Sequence, residues 1–412
     1  MKVFKFGGAS LKDADGVKNV AAVLNSQKFE NCLLVVSAMG KTTNALEKVV
    51  QVYFEKSDFR AQLAEVEDAH LQICRGLFSD EHPVFQEISF YFKNVEVFLQ
   101  NNVVPDYNFV YDQVVSCGEM VSSRIVSLYL NEIQFANLWL DARKYIITDT
   151  SYREGNINWD ETQKRISALD LKKCYVTQGF IGAEANNFTV TLGREGSDYS
   201  AAIFAYGLNA EAMTIWKDVP GVMTGDPRKF ENVSLISDIS YEEAIEMAYY
   251  GASVIHPKTL QPLKQKNIPF YVKSFLEPEK PGTKVGSLSQ SAGAESYILK
   301  ENQHLMHIST RDFAFIAEEH LSQIFALLAK NKIKISLMQN SAISLALCLE
   351  DKYGTLDALL QELQISFNAD VVKSVSLYTL RNAKLEDLNK FYANKNILLE
   401  QISKKTIQIV TN

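Results

Sequence analysis

The sequence predicts an α/β protein, a mostly parallel sheet sandwiched by helices, with a smaller α+β tail behind it. Three observations carry this expectation. The opening residues alternate strand, glycine turn, helix and strand; the alternation resumes between residues 175 and 250; and the pattern changes after a Gly/Ser-rich stretch without periodicity, PGTKVGSLSQSAGAES at 281–296.

Taken in order, residues 2–6 form a short β-prone run broken by Gly7-Gly8. Val17, Val20, Ala21 and Leu24 recur at helical spacing, and Leu33-Leu34-Val35-Val36 is a continuous apolar run, as in a strand buried on both faces. This β-α-β opening implies parallel strands with ligands at their carboxyl ends. Residues 46–99, rich in Glu, Gln, Leu and Phe, read as mostly helical, laid around the mouth of the sheet. Strands are expected at 175–178 and 213–217, a hairpin turn at Asn186-Asn187 before 188–192, and an amphipathic helix over 240–250 that stops at Gly251. Beyond the boundary, a strand at 305–309, a helix at 320–330, strands at 333–337 and 343–349 joined at Asn340-Ser341, a helix at 355–363 and a strand at 371–380 complete a β-α-β-β-α-β unit. A helix over 385–392 and strands at 397–402 and 406–410 are a partial echo of it.

Composition narrows the function. The chain has 412 residues, 42 basic against 49 acidic for a net charge of −7, and a 47% hydrophobic, 22% charged make-up. At about 150 residues per domain, two or three globular domains are expected. Disorder and a collagen-like chain are excluded, and mild acidity argues against general nucleic-acid binding. No run of 18 apolar residues marks a membrane span, and the apolar stretch before Gly7 is too short for a signal peptide. Five scattered cysteines without CxxC spacing read as buried reduced thiols in a cytoplasmic protein.

Five stretches can carry chemistry, each with a plainer reading as a turn. Lys5-Phe6-Gly7-Gly8-Ala9-Ser10 puts a lysine at a strand end before two glycines whose N–H groups can approach an anion. Gly40-Lys41-Thr42 is only half a P-loop, because Val35 stands where that motif needs a glycine. In Ser116-Cys117-Gly118-Glu119 the plain reading is a first-turn acid favoured by a helix dipole. Gly193-Arg194-Glu195-Gly196-Ser197-Asp198 is an anion-recognition turn with a planar guanidinium suited to a carboxylate. Trp216-Lys217-Asp218-Val219-Pro220-Gly221, continuing to Gly225-Asp226-Pro227-Arg228, follows a strand where a nucleotide usually sits. Their joint presence in this order is stronger than any one of them.

With KFGGAS (5–10), VVSAMGKTTN (35–44), SCGE (116–119), GFIGA (179–183), TLGREGSDYSAA (191–202), WKDVPGVMTGDPR (216–228) and SYEEAIEMAYYGASVIHPKTL (240–260), the chain resembles an aspartate kinase of the amino-acid kinase superfamily. The resemblance implies an amino-acid kinase fold over 1–284, a ferredoxin-like ACT domain over 296–381, and a second, incomplete ACT-like unit over 382–412 completed by a segment within 281–305. It implies MgATP-dependent phosphorylation of the L-aspartate β-carboxylate, in a cytoplasmic homodimer joined through ACT domains, on the route to lysine, threonine and methionine. Lys5 would hold the transferring phosphoryl group and Asp198 would order it. Phe6, Gly7, Gly8, Ser10, Lys217, Asp218, Met223, Asp226 and Arg228 would surround the nucleotide. Arg194 would take the substrate α-carboxylate and Glu119 its ammonium, with Ser37, Thr43, Phe180 and Ser197 beside them. Mg²⁺ would arrive through ATP oxygens, without a protein cage.

The chain departs from the family pattern at Glu195, where a glycine is usual, at Lys217 in place of a threonine, at Met223 in place of an aromatic, and at Ser253 in place of a lysine. Lys217 is expected to replace the charge lost at Ser253. His256 beside Pro257 reads as structural, because a carboxylate acceptor needs no base. Met338, Asn340 and Ser341 are the effector candidates; Ser336 and Ala342 stand where relatives carry acids, so weak or altered lysine feedback is expected. Two other readings stay open here: a kinase for glutamate or acetylglutamate, and a weakly active ACT amino-acid sensor.

Overall fold

The computed structural model describes residues 1–26, 31–252, 255–287, 293–312, 314–382, 392 and 395–412. Its backbone clusters into two compact units: Met1–Val222 with Leu235–Ile245 and Val254–Gln290, and Met223–Ser234 with Glu246–Ser253 and Ser291–Asn412.

The first unit opens with β1 (Lys2–Phe6), α1 (Ala14–Ser26) and β2 (Cys32–Val36). Helices α2 (Thr42–Phe54), α3 (Arg60–Arg75), α4 (Val84–Asn101) and α5 (Tyr107–Glu132) follow, then β3 (Leu138–Leu140), α6 (Trp159–Ser167) and β4 (Tyr175–Gln178). A hairpin of β5 (Ile181–Ala183) and β6 (Thr189–Thr191) leads into α7 (Gly196–Gly207) and β7 (Ala212–Lys217). Later come β8 (Asp238–Ser240), α8 (Tyr241–Tyr250), α9 (Pro257–Gln265), β9 (Phe270–Ser274) and β10 (Thr283–Gly286).

Eight strands make one sheet in the order β3-β4-β2-β1-β7-β9-β10-β8, parallel throughout except where β10 meets β9. The apolar run of β2 is buried along all five residues, which is why it reads without alternation. In α1, Val17, Val20, Ala21 and Leu24 are all buried, as their spacing predicts. Asp106 caps α5 by accepting from the backbone N–H groups of Asn108 and Phe109. At 1.5 Å per residue this helix is about 39 Å long. Gly118 and Glu119 fall in its middle, so the first-turn reading of that glutamate is replaced by a mid-helix one. A glycine in a helix interior is normally unfavourable. Here a Cβ at Gly118 would come within 2.9 Å of Thr42 Cγ2 and 3.1 Å of Ala38 Cβ, so the small residue admits the loop before α2.

The second unit contains β11 (Ser296–Thr310), α10 (Glu318–Lys330), β12 (Lys334–Asn340), β13 (Ser344–Glu350), α11 (Leu356–Ser366), β14 (Phe367–Arg381), β15 (Ile397–Ser403) and β16 (Thr406–Thr411). All pairings are antiparallel, in the order β12-β13-β11-β14-β16-β15. The central strands β11 and β14 are 15 residues each and serve two sets of neighbours. Residues 304–309 of β11 pair with β13, while residues 376–381 of β14 pair with β16. The first half of β11, Ser296 to Lys300, lies against that same end of β14. Ile324 and Leu328 of α10 and Leu356, Leu359 and Leu363 of α11 share a core with Met306, Ile308, Leu345 and Leu347. The expected strand at 305–309 is the second half of the much longer β11. Its first half is masked in the sequence by the polar run Lys300 to His304, where the register shifts and Asn302 takes φ 56°. The expected helix over 385–392, except Tyr392, and Ser253 lie outside the described residues.

Candidate active site

Parallel register sets the site. Phe6 aligns with Val36 on one side and Trp216 on the other, so β1, β2 and β7 end together. The turns after β1 and β2 are joined by hydrogen bonds from Ser37 N to Phe6 O (3.1 Å) and from Gly40 N to Gly8 O (3.0 Å). A Cβ at Gly8 would sit 2.7 Å from Ala38 O, so only glycine lets these two turns approach this closely. Gly179, after β4, donates to Val36 O at 2.9 Å and brings a fourth strand end to the same place.

Onto this platform α7 projects Asp198, which is 1% exposed. Lys5 Nζ lies 2.6 Å from Asp198 Oδ1, and Lys217 Nζ lies 3.4 Å from Oδ2. Burial pushes the Asp198 carboxyl upward, but the two lysines outweigh it and hold the group below the usual aspartate range. Glu195, immediately before α7, places Oε2 4.0 Å from Lys217 Nζ. Its carboxyl is raised, by burial first and by the neighbouring Asp198 second. Lys217 therefore faces Asp198 and Glu195; its expected compensation for Ser253 falls on a residue outside the described ones.

A second pole lies on α5. Glu119 is 2% exposed, its Oε2 has no hydrogen-bond partner, and burial lifts its carboxyl to about 8 against a backbone hydrogen bond from Ala38. A buried, half-satisfied carboxylate is costly unless a cation completes it. Ser37 and Thr43 flank it, on the loop after β2 and in the first turn of α2, and both are partly exposed. On the turn after β4, Phe180 takes φ 70° and donates its N–H to Ser200 Oγ at 2.9 Å. Missing Cβ atoms at Gly179 and Gly196 bring Ser197 and the Phe180 ring into contact with that turn. Arg194 is exposed, with no ion pair among the described residues.

Lys5, Asp198 and Lys217 thus cluster beside Gly7 and Gly8, Ser197 and Phe180 meet at Gly179 and Gly196, and Glu119 lies against Ala38, next to Ser37 in the chain, with Arg194 on the turn before α7. Ser10 is buried with an unpartnered Oγ, and Asp218 is exposed just past β7. Met223, Asp226 and Arg228 belong to the second compact unit, where Arg228 Nη2 pairs with Asp226 Oδ2 at 2.7 Å. His256 caps α9, its Nδ1 accepting from Lys258 N at 3.2 Å. All five cysteines are buried and unbridged.

One residue escaped the sequence reading. Asp112, fully buried on α5, accepts from Arg153 N and Thr191 N at 2.9 Å each and from Thr191 Oγ1 at 2.7 Å. It ties β6, and hence the turn bearing Arg194, to the helix that carries Glu119. Burial raises its carboxyl to about 6 against those hydrogen bonds. The signal was present: Asp112 and Glu119 are seven residues apart, two turns along one helix face.

Residues 1–274 match the family model described as the amino acid kinase family. Lysine-sensitive aspartokinase 3 of Escherichia coli (strain K12) is 31% identical over 397 residues, covering 92% of this chain and 86% of the relative. The chain belongs to the aspartokinases of the amino acid kinase family. A crystal structure of E. coli aspartokinase III in complex with aspartate and ADP matches over 100% of this chain and 96% of that one, at 28% identity and a TM-score of 0.84. A second, of the same enzyme with lysine and aspartate, matches with a TM-score of 0.83 over 100% and 95% of the two chains, also at 28% identity. Membership fits the architecture: a parallel α/β sheet with helices, then an antiparallel sheet. Among the described residues no helix is long and apolar enough to cross a membrane.

Proposed function

We infer that the site transfers the γ-phosphoryl group of ATP to the side-chain carboxylate of L-aspartate, giving 4-phospho-L-aspartate and ADP. The observation that carries this is the pairing of two oppositely built poles. One is a cationic cluster at the ends of β1 and β7; the other is a buried carboxylate, Glu119, with an open oxygen. An α-amino acid brings an ammonium for the second pole, a carboxylate for Arg194, and a second carboxylate to meet the phosphate. The E. coli relative with bound aspartate and ADP supports the same assignment.

In this reading Lys5 Nζ and the N–H groups of Gly7 and Gly8 face the phosphoryl oxygens, and Asp198 holds Lys5 in place. A carboxylate oxygen of aspartate forms the new P–O bond as the bond from the γ-phosphorus to the β,γ-bridging oxygen breaks, and ADP departs with that electron pair. The acceptor is already an anion, so no base is required. The work lies in bringing two anions together and spreading charge in the transition state. Among the described residues no group of three His, Cys, Asp or Glu side chains is set to hold a metal, and Asp198 is engaged by two lysines. Mg²⁺ would arrive with the nucleotide, whose phosphate charge it would neutralise. Lys217 and Asp218 line the nucleotide. The second unit supplies ACT-like regulation, completed by the first half of β11, and joins a cytoplasmic homodimer. An ATP-dependent hydroxamate assay with aspartate, glutamate and acetylglutamate tests the assignment: product from aspartate alone supports it, and a preference for either other acid refutes it.

A further inference from the structure

The nucleotide reading above uses Lys217 but leaves Glu195, its neighbour, without a role. Lys217 stands two positions beyond Ile215, the residue aligned with Lys5, so both lysines share one face of the sheet. Asp198 lies against both, with Lys5 the closer at 2.6 Å and Lys217 at 3.4 Å. Lys217 also faces Glu195 at 4.0 Å, and so stands between two carboxylates. Glu195 takes φ 54°, a left-handed conformation adopted without cost only by glycine, and its side chain is about one-third exposed. Two ammonium groups and two carboxylates sum to zero. Removing Lys217 leaves one net negative charge where phosphates must approach; removing Glu195 leaves one net positive charge.

We propose that Lys217 is a positioning residue that neutralises Glu195 at the mouth of the phosphate site, so the two side chains act as one compensated unit. Asp198 has Lys5 as its closer cation, at 2.6 Å against 3.4 Å for Lys217. Glu195 also lies against Asp198, which helps to raise its carboxyl, and among the ion pairs within the described residues its cation is Lys217. The unit also explains how an acid is tolerated at a left-handed turn that opens a phosphate-facing helix. The dipole of α7 favours a negative charge there, and Lys217 cancels its repulsion of the nucleotide.

The proposal rests on the nucleotide reading above, and one binding experiment separates the two. MgADP is titrated calorimetrically into the full chain and into K217M, E195Q and K217M/E195Q, with circular dichroism to establish folding. K217M is expected to weaken MgADP about tenfold or more, E195Q to leave it unchanged or a few-fold tighter, and the double variant to return within about threefold of the parent. K217R, which keeps the charge, is expected to lose less affinity than K217M. If the double variant binds as weakly as K217M, Lys217 acts without reference to Glu195 and the proposal is overturned. A loss of affinity in E195Q, or a loss in a folded K217R as large as in K217M, overturns it equally. If the parent does not bind MgADP at all, the nucleotide reading itself fails.

Discussion

Two places in this chain are candidates for an α-amino acid, and they are built from opposite materials. At the mouth of the parallel sheet, Glu119 is 2% exposed and Asp198 1%, and Lys5 and Lys217 lie against the latter. On the β12–β13 hairpin, Met338, Asn340 and Ser341 are exposed and carry no charge. Ser341 spends its hydroxyl on Ser344 Oγ at 2.7 Å, and Ser336 spends its own on Gln303 Oε1 at 2.8 Å. A charge away from water interacts strongly because the medium screens it poorly; an exposed hydroxyl competes with bulk water for every contact. The first place can hold a zwitterion by its charges. The second offers an effector mostly backbone and hydroxyl groups.

That contrast can be broken from its strong side first. Lys5→Met removes the cation nearest the transferring group and is expected to lower kcat by about 10³-fold or more with little change in KM for aspartate, as steady-state kinetics would show. Glu119→Gln leaves the buried pocket its shape but not its charge. It is expected to raise KM for aspartate by about 10²-fold, and Arg194→Met by a similar factor. A KM unchanged in both would remove the zwitterion argument.

The raised Glu119 carboxyl adds a pH signature. Its folded value of about 8 lies above the ordinary glutamate value, so the folded state holds this proton more tightly than the unfolded one. That contribution to stability is complete below the unfolded value near 4.5 and is lost as pH rises toward 8. Thermal melts should therefore show a falling Tm over this window that is flatter in Glu119→Gln. KM for aspartate should move the other way, improving as pH rises toward 8, because the charged carboxylate is the form that pairs with an ammonium. The smallest effect belongs to the weak side of the comparison. Lysine is expected to inhibit feebly, and Met338→Ala or Ser341→Ala to change that response by less than about threefold. Strong inhibition at submillimolar lysine, abolished by either change, would contradict it.

The same contrast decides what could be read from sequence. β2 was legible because a parallel strand buried on both faces is an uninterrupted apolar run, and β1 and β4 because a glycine ends each of them. The chemistry at their ends was legible from glycines: Gly8, Gly179 and Gly196 mark where another segment of the chain must come close. The position of Glu119 within α5 was not, since Ser116, Gly118, Ser122 and Ser123 blur the helical pattern. Those small residues answer to packing from outside the helix, as the approach of Thr42 and Ala38 to Gly118 makes plain. The link between Lys217 and Glu195 was hidden as well, because 21 intervening residues separate neighbours that only α7 and the register of β7 bring together. The long β11 was half-read, because its bulged polar segment breaks the alternation.

The most direct test of the central claim, that Glu119 receives the aspartate ammonium, is the number of protons released when aspartate binds. Calorimetric titration at pH 7 in buffers of different ionisation enthalpy measures it. The carboxyl titrating near 8 must give up its proton to pair with the ammonium, so close to one proton is expected from the parent chain and none from Glu119→Gln, which should also bind more weakly. Tight aspartate binding without proton release, unchanged in Glu119→Gln, would contradict the account.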